Sequence, residues 1–416
     1  MSAAARHGAA PAFDAAALRR EFPLLARTQH GKRFVYLDSA ATAQKPRVVI
    51  DAVRRFYEES YASVHRGVYE LSAHATQLYE VARGKLRDFL GAREAREIVF
   101  VRNATEAINL VAHSWGGEHV GAGDEVLVSE MEHHANIVPW QLLCERQGAR
   151  LRVLPVRDDG ALELTALPAL LSARTRLVAV AHVSNVLGTI NPVREIAEVA
   201  HARGIPVLVD GAQAAPRIPV DVRELGCDFY AVSGHKLYGP SGIGALYARA
   251  ELLEGMPPWQ GGGSMIESVS FAGTTYAGIP TRFEAGSPNA EGAVGLGAAL
   301  DWLTALGMAQ VAEHESALLE HGTRLLDAIP GVRIYGRAPA KTGVLAFTIA
   351  GVHAHDVGTV LDGEGVAVRA GHHCAQPLME RYGVVAMARA SLGVYNDVED
   401  LERLADAVRR TIELFR

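Results

Sequence analysis

The chain is poor in cysteine: Cys144, Cys227 and Cys374 are its only three in 416 residues. That is too few for a disulfide framework, and none of the spacings is that of a zinc site, so a reducing compartment, the cytoplasm, is the expected location. No window reaches the roughly 18 consecutive apolar residues a membrane helix needs, so no membrane span is expected. The formal charge is only −6, with no long run of lysine and arginine, which argues against a nucleic acid or an anionic bilayer as partner. Residues Met1 to Pro11 contain no continuous apolar stretch and read as a frayed extension rather than a signal peptide. What is present, 49% hydrophobic and 21% charged residues, is the balance of a globular protein of two to three domains with small-molecule chemistry.

Seven short runs rich in β-branched and other apolar residues recur between helix-like segments: Glu97 to Arg102, Asp124 to Glu130, Arg150 to Val156, Arg176 to Val183, Pro206 to Asp210, Phe229 to Ser233 and Gly244 to Arg249. Helical periodicity separates several of them, at Thr105 to His113, Asn136 to Gln147 and Val193 to Arg203. Alternation of this kind predicts an α/β fold with a mostly parallel sheet covered on both faces. Residues 31–300 are expected to form this large domain. Residues 301–416 are expected to form a smaller α+β domain, built from a long helical pattern over Gly295 to Ala328, strands near Val344 to Ile349 and Gly365 to Arg369, and a last helix over Val398 to Phe415. Residues 1–30, with a helix around Phe13 to Phe22, are expected to join the smaller domain. Gly261 to Gly263 and Phe271 to Pro280 read as a loop or hairpin leaving the core.

In open α/β sheets ligands sit beyond the carboxyl ends of the strands. Successive runs here end on Asn103-Ala104-Thr105, His133-His134, Asn185, Asp210 with Gln213, and Ser233 with His235 and Lys236. Together these suit pyridoxal phosphate. A helix N-terminus at Thr105, with Ser233 and His235, offers donors to a phosphate; Asp210 is placed to hold a proton on a pyridine nitrogen, and Gln213 to reach a ring hydroxyl. Lys236 would take the aldehyde and His133 would cover the ring. Each residue has an ordinary reading too: a solvated lysine, a turn aspartate, a helix cap, a surface or core histidine.

A second constellation is Arg369-Ala370-Gly371-His372-His373-Cys374-Ala375. A free thiol is only about 3% thiolate at pH 7, and cationic neighbours such as Arg369 and the two histidines would raise that share. Cys144 and Cys227 read as small buried hydrophobes. Zinc is the rival for His372, His373 and Cys374, but three adjacent ligands without a CxxC or HxxxH partner make a poor tetrahedral site, so no metal is expected. Arg389 can clamp a carboxylate through a bidentate fork or serve a structural ion pair. Gly121-Ala122-Gly123 precedes a strand instead of following one, which weakens a dinucleotide-binding reading.

At these positions the sequence resembles the fold-type I pyridoxal-phosphate enzymes of the class V aminotransferase family, and within them the group II, SufS-type cysteine desulfurases. The resemblance runs from about Arg20 onward through SAATAQKP at Ser39, VHRGVYELSAHAT at Val64, MEHHANIVPW at Met131, AHVSNVLGT at Ala181, VDGAQA at Val209, SGHKLYGPSGIG at Ser233, RFEAGSP at Arg282, RAGHHCAQPLM at Arg369 and RASLGVYN at Arg389. It implies a homodimer holding pyridoxal 5'-phosphate as a Schiff base on Lys236, with Asp210 at the ring nitrogen, Gln213 at the hydroxyl and His133 over the ring. Ala104, Thr105, Ser233 and His235 would hold the phosphate, joined by Ser287 from the partner subunit, where the family carries threonine. Asn185 and Arg389 would bind the substrate, with Arg369 and His65 near the arriving L-cysteine. The implied reaction leaves alanine and a persulfide on the catalytic Cys374, which a SufE- or SufU-type acceptor collects for iron–sulfur cluster assembly. Selenocysteine lyase activity on the same scaffold is the alternative.

Overall fold

The structure is a computed structural model and describes residues 13–416; the expected frayed extension Met1 to Pro11 lies outside the described residues. The seven expected runs all form strands: β1 (Ile98–Val101), β2 (Glu125–Ser129), β3 (Arg150–Leu154), β4 (Thr175–Ala181), β5 (Val207–Asp210), β6 (Phe229–Ser233) and β7 (Gly244–Ala248). They make one sheet in the order β1-β7-β6-β5-β4-β2-β3. Strands β2 to β6 pair in parallel, whereas β7 runs antiparallel to both β6 and β1. Every residue of β1, β2, β5, β6 and β7 is buried, because helices cover both faces of the sheet. The two-residue period divides β4 between two cores, with Val178 and Val180 on one side and Leu177 and Ala179 on the other.

On the first face, helices Glu70–Leu90 and Ala290–Leu306 pack closely. A Cβ at Gly297 would come within 3.2 Å of the Ala82 methyl, so glycine permits that approach. The long helical pattern over Gly295 to Ala328 forms two helices, Ala290–Leu306 and Met308–Asp327, bent by 74°. The break is Gly307, whose φ of +81° lies in the left-handed region that glycine enters without strain. Among the described residues no single helix is long and apolar enough to cross a membrane; this bent pair would be only if taken together, and its apolar residues are largely buried against the core.

The smaller α+β part contains an antiparallel sheet, for which the next labels are β8 (Val332–Tyr335), β9 (Val344–Ile349), β10 (Arg369–Gly371) and β11 (Met387–Ser391), in the order β8-β9-β11-β10. The strand expected over Gly365 to Arg369 is divided. Val366–Ala367 pairs in parallel with Val35–Tyr36, and β10 turns away to join β11. Leu318, Phe347, Leu361, Ala388 and Leu401 form a third core beneath this sheet. The helix Ala15–Arg20 begins on Asp14, whose side chain accepts from the Ala17 N–H. Phe13 stacks on His314 at 4.2 Å, and Arg19 reaches Asp400 of the last helix, Val398–Leu414. Ile266–Ser270 and Gly273–Tyr276 form an exposed hairpin with Phe271 at its tip.

Candidate active site

Loops after β1, β2, β4, β5 and β6 meet β10 and β11 around a cavity of about 240 Å³. Twelve of the fourteen residues expected to form the site line it, drawn from every polar cluster noted at the strand ends and from both parts of the fold. His65 and Ser287 do not. His65 sits beside Glu80 at 3.4 Å, half exposed, and Ser287 borders a separate cavity with Arg66 and Glu291. His65 does not line the pocket of its own chain; its turn, Val64–Gly67, is tied to Ser72 and Thr76 of the neighbouring helix.

At one end the helix Ala104–His113 presents its N-terminus. Asn103 caps it by accepting from the Glu106 N–H, and Ser233 Oγ accepts from the Ala104 N–H at 2.9 Å. The Thr105 N–H between them is unpaired among the described residues, and Thr105 lines the cavity. This is a ready anion site. Deeper in, Asp210 accepts from the Ala212 N–H at 2.9 Å. Burial pushes its carboxyl pKa up, while the charge of Lys236 acts the other way. Burial likewise lowers the Lys236 amine, against the pull of Asp210. Gln213 donates through Nε2 to the Ala40 carbonyl, leaving its buried Oε1 with no partner among the described residues. His133 is neutral: burial, reinforced by Lys236, holds it down to about 3. An anion site, a buried carboxylate, an orphaned amide oxygen, a neutral aromatic ring and a desolvated lysine fit the phosphate, ring nitrogen, hydroxyl, ring face and aldehyde of pyridoxal phosphate.

Cys374 enters from the other side. His373 and Cys374 both hold left-handed φ, at +53° and +55°, which turns the chain sharply between β10 and the helix Gln376–Tyr382. Cys144 and Cys227 are buried, whereas Cys374 is partly accessible. His373 cannot supply the cationic help expected of it. Burial drives its pKa down to about 3, so the ring is neutral. Asn185 ties this turn to the sheet by donating to the His373 carbonyl at 2.7 Å. Arg389 donates to the Asn185 carbonyl at 2.9 Å and to Asp38 at 3.0 Å, while its buried Nε has no partner among the described residues. Among those residues no group of three His, Cys, Asp or Glu side chains could hold a metal ion.

Two contributors escaped the sequence reading. Asp38, just before SAATAQKP, touches both arginines of the pocket. Glu132, within MEHHANIVPW, is fully buried and accepts from Ser129 Oγ, Asn136 Nδ2 and the Ala181 N–H, so it anchors the His133 loop to β4. A carboxylate inside an apolar strand-end motif was the only available signal for Glu132.

This fold and this cavity define a fold-type I pyridoxal-phosphate enzyme. Residues 35–404 match the family described as aminotransferase class-V. The chain is 55% identical to the cysteine desulfurase of Klebsiella pneumoniae (strain 342), over 97% of this chain and 99% of that one. It is 54% identical to the cysteine desulfurase of Escherichia coli O127:H6 (strain E2348/69 / EPEC), over 96% and 98%. Its structure resembles the crystal structure of the E. coli cysteine desulfurase CsdA in its S-sulfonic acid form, with a TM-score of 0.91 and 42% identity over 97% of this chain and all of that one. The apo cysteine desulfurase of Thermococcus onnurineus NA1 gives the same TM-score at 38% identity, covering 95% and 98%. The chain belongs to the class-V aminotransferase family and, within it, to the cysteine desulfurases.

Proposed function

We propose that this pyridoxal-phosphate enzyme converts L-cysteine to L-alanine, keeps the sulfur as a persulfide on Cys374 and supplies it for iron–sulfur cluster assembly. The observation that carries the reading is one cavity holding a desolvated amine, a buried carboxylate and a partly accessible thiol: Lys236, Asp210 and Cys374. Bound pyridoxal phosphate supplies an aldehyde that condenses with amines and a ring that draws electrons from the substrate Cα. Lys236 holds the cofactor, Asp210 keeps the ring nitrogen protonated, and Gln213 and His133 fix the ring. Ala104, Thr105, Ser233 and His235 hold the phosphate.

Arg389, with Asn185, binds the substrate carboxylate, its open Nε supplying a donor. Freed once the substrate amine takes its place on the cofactor, the Lys236 amine, whose pKa burial lowers, would take the proton from the substrate Cα at Nζ. The Cys374 thiolate attacks the substrate sulfur, so an S–S bond forms as the Cβ–S bond breaks. Its electron pair stays with Cβ, which is protonated to the methyl group of alanine.

The RAGHHCA segment supports a group II, SufS-type enzyme that hands sulfur to a SufE- or SufU-type acceptor. A homodimer is supported by the fully exposed Val68 and Phe271 and by Ser287, whose position off its own cavity suits contact with the partner's phosphate. His65 would likewise act across that interface. Three free cysteines support a cytoplasmic location. A division of the chain into 31–300 and 301–416 is supported in outline by the break between helices Ala290–Leu306 and Met308–Asp327, which would put the boundary near Gly307.

Turnover of cysteine and selenocysteine by wild type and Cys374→Ala tests the reading. Loss of alanine formation from cysteine, with selenocysteine turnover spared, is expected. Full cysteine activity in the variant would exclude Cys374 as the nucleophile, and selenocysteine turnover far above that of cysteine in wild type would favour a selenocysteine lyase.

A further inference from the structure

Arg369 and Arg389 are directly opposed across β10 and β11, and both line the cavity. Like charges placed opposite on adjacent strands repel. Asp38 relieves this from a third segment, whose backbone bridges to Ser391 of β11. One of its oxygens accepts from Arg389 Nη2 at 3.0 Å, and the other lies 3.8 Å from Arg369 Nη1. Two guanidinium groups and one carboxylate leave a single uncompensated positive charge at the place where substrate binds.

We propose that Asp38 is a specificity-determining residue that sets the pocket to ligands with one carboxylate. This rests on the reading of Arg389 as the carboxylate anchor. Arg389 is almost fully buried, and its Nη1 is already bonded to the Asn185 carbonyl, so its free donors suffice for one anionic group. Arg369 is half exposed and is, among the described residues, the only other guanidinium lining the pocket, so it would receive a second anionic group if Asp38 did not engage it. Asp38 therefore has two effects. It orients the Arg389 fork, and it cancels the charge that would stabilise a dicarboxylate.

The test uses the holoenzyme and the change in the visible spectrum of its cofactor on adding L-alanine or L-aspartate, which differ by one carboxylate. The readout is the ratio of their dissociation constants. Wild type is expected to favour alanine, and Asp38→Asn to shift the ratio toward aspartate by about tenfold, the order expected for one partly screened charge. Adding Arg369→Gln to Asp38→Asn restores the charge count and should return the ratio toward that of wild type. Arg369→Gln alone, at a half-exposed position, guards against a folding defect in the Asp38 variant and should move the ratio toward alanine. Equal changes in both constants in Asp38→Asn and in Arg369→Gln would overturn the proposal and leave Asp38 a structural ion pair. A wild-type enzyme that desulfurates cysteine while the ratio stays constant across all variants overturns this inference alone, whereas absence of desulfuration in wild type overturns the functional reading beneath it.

Discussion

The backbone N–H of His134 donates to the carbonyl of Cys374 at 2.7 Å, and the His134 ring accepts in return from the Gln376 N–H at 3.1 Å through Nε2. The loop that follows β2 thus clasps both sides of the residue bearing the thiol. Only an unprotonated ring can accept, and burial, followed by the charge of His372, lowers the His134 pKa below its ordinary value. With the folded pKa lower than the unfolded one, the unfolded chain binds more protons in the interval between them. This contribution is therefore complete above about pH 6.5 and is lost as the pH falls through the folded value. His134→Ala should raise the rate at which iodoacetamide alkylates Cys374 by about two- to tenfold, the worth of one ordinary hydrogen bond. An unchanged rate would show that the clasp does not restrain the thiol.

With the proposed roles, Lys236 and Asp210 would report separately on the cofactor. Lys236→Ala should abolish fixation of the cofactor by borohydride. Asp210→Asn should retain that fixation but lower kcat by roughly 100-fold or more, since a neutral amide cannot hold the ring proton. Equal borohydride fixation in Lys236→Ala and wild type would remove the lysine from its role.

Glu132 should leave a mark on the stability profile. Burial raises its pKa to about 7, although three donors and their hydrogen bonds oppose the shift. A carboxyl with a raised folded pKa holds its proton longer in the folded state. Its contribution is complete below about pH 4.5 and declines as the pH rises through 7. Between pH 5 and 8, Glu132→Gln should flatten the dependence of Tm on pH relative to wild type. Parallel profiles for the two proteins would contradict the raised value.

Arg217 and Glu315 are both almost completely buried and lie 2.6 Å apart, joining the loop after β5 to the helix Met308–Asp327. Arg217→Met alone would leave Glu315 buried without its cation, at a cost of about 3–5 kcal/mol. Arg217→Met/Glu315→Leu should recover most of that loss in denaturant unfolding. Additive losses would mean the two charges do not depend on one another.

The seven strands were legible because a sheet buried on both faces demands unbroken apolar runs, as at Val207–Asp210 and Phe229–Ser233. The polar residues at their ends were legible for the complementary reason, since polar groups at the edge of such a sheet call for an explanation beyond packing. Gly307 was not, because a glycine within a helical pattern is read correctly only once its φ is known. Whether His65 faces the cavity of its own chain was equally hidden, since a motif carries no information about which cavity its residues face.

Local patterning by itself therefore determined the alternation of strands and helices and the chemistry of the side chains at the strand tips, because both depend on spacing of a few residues. Tertiary structure alone decided which charges meet. Asp38, Arg369 and Arg389 come from three separated segments, and His373 looks cationic in sequence yet is neutral once buried. Burial and long-range contact set those charge states, and neither is a property of neighbours along the chain.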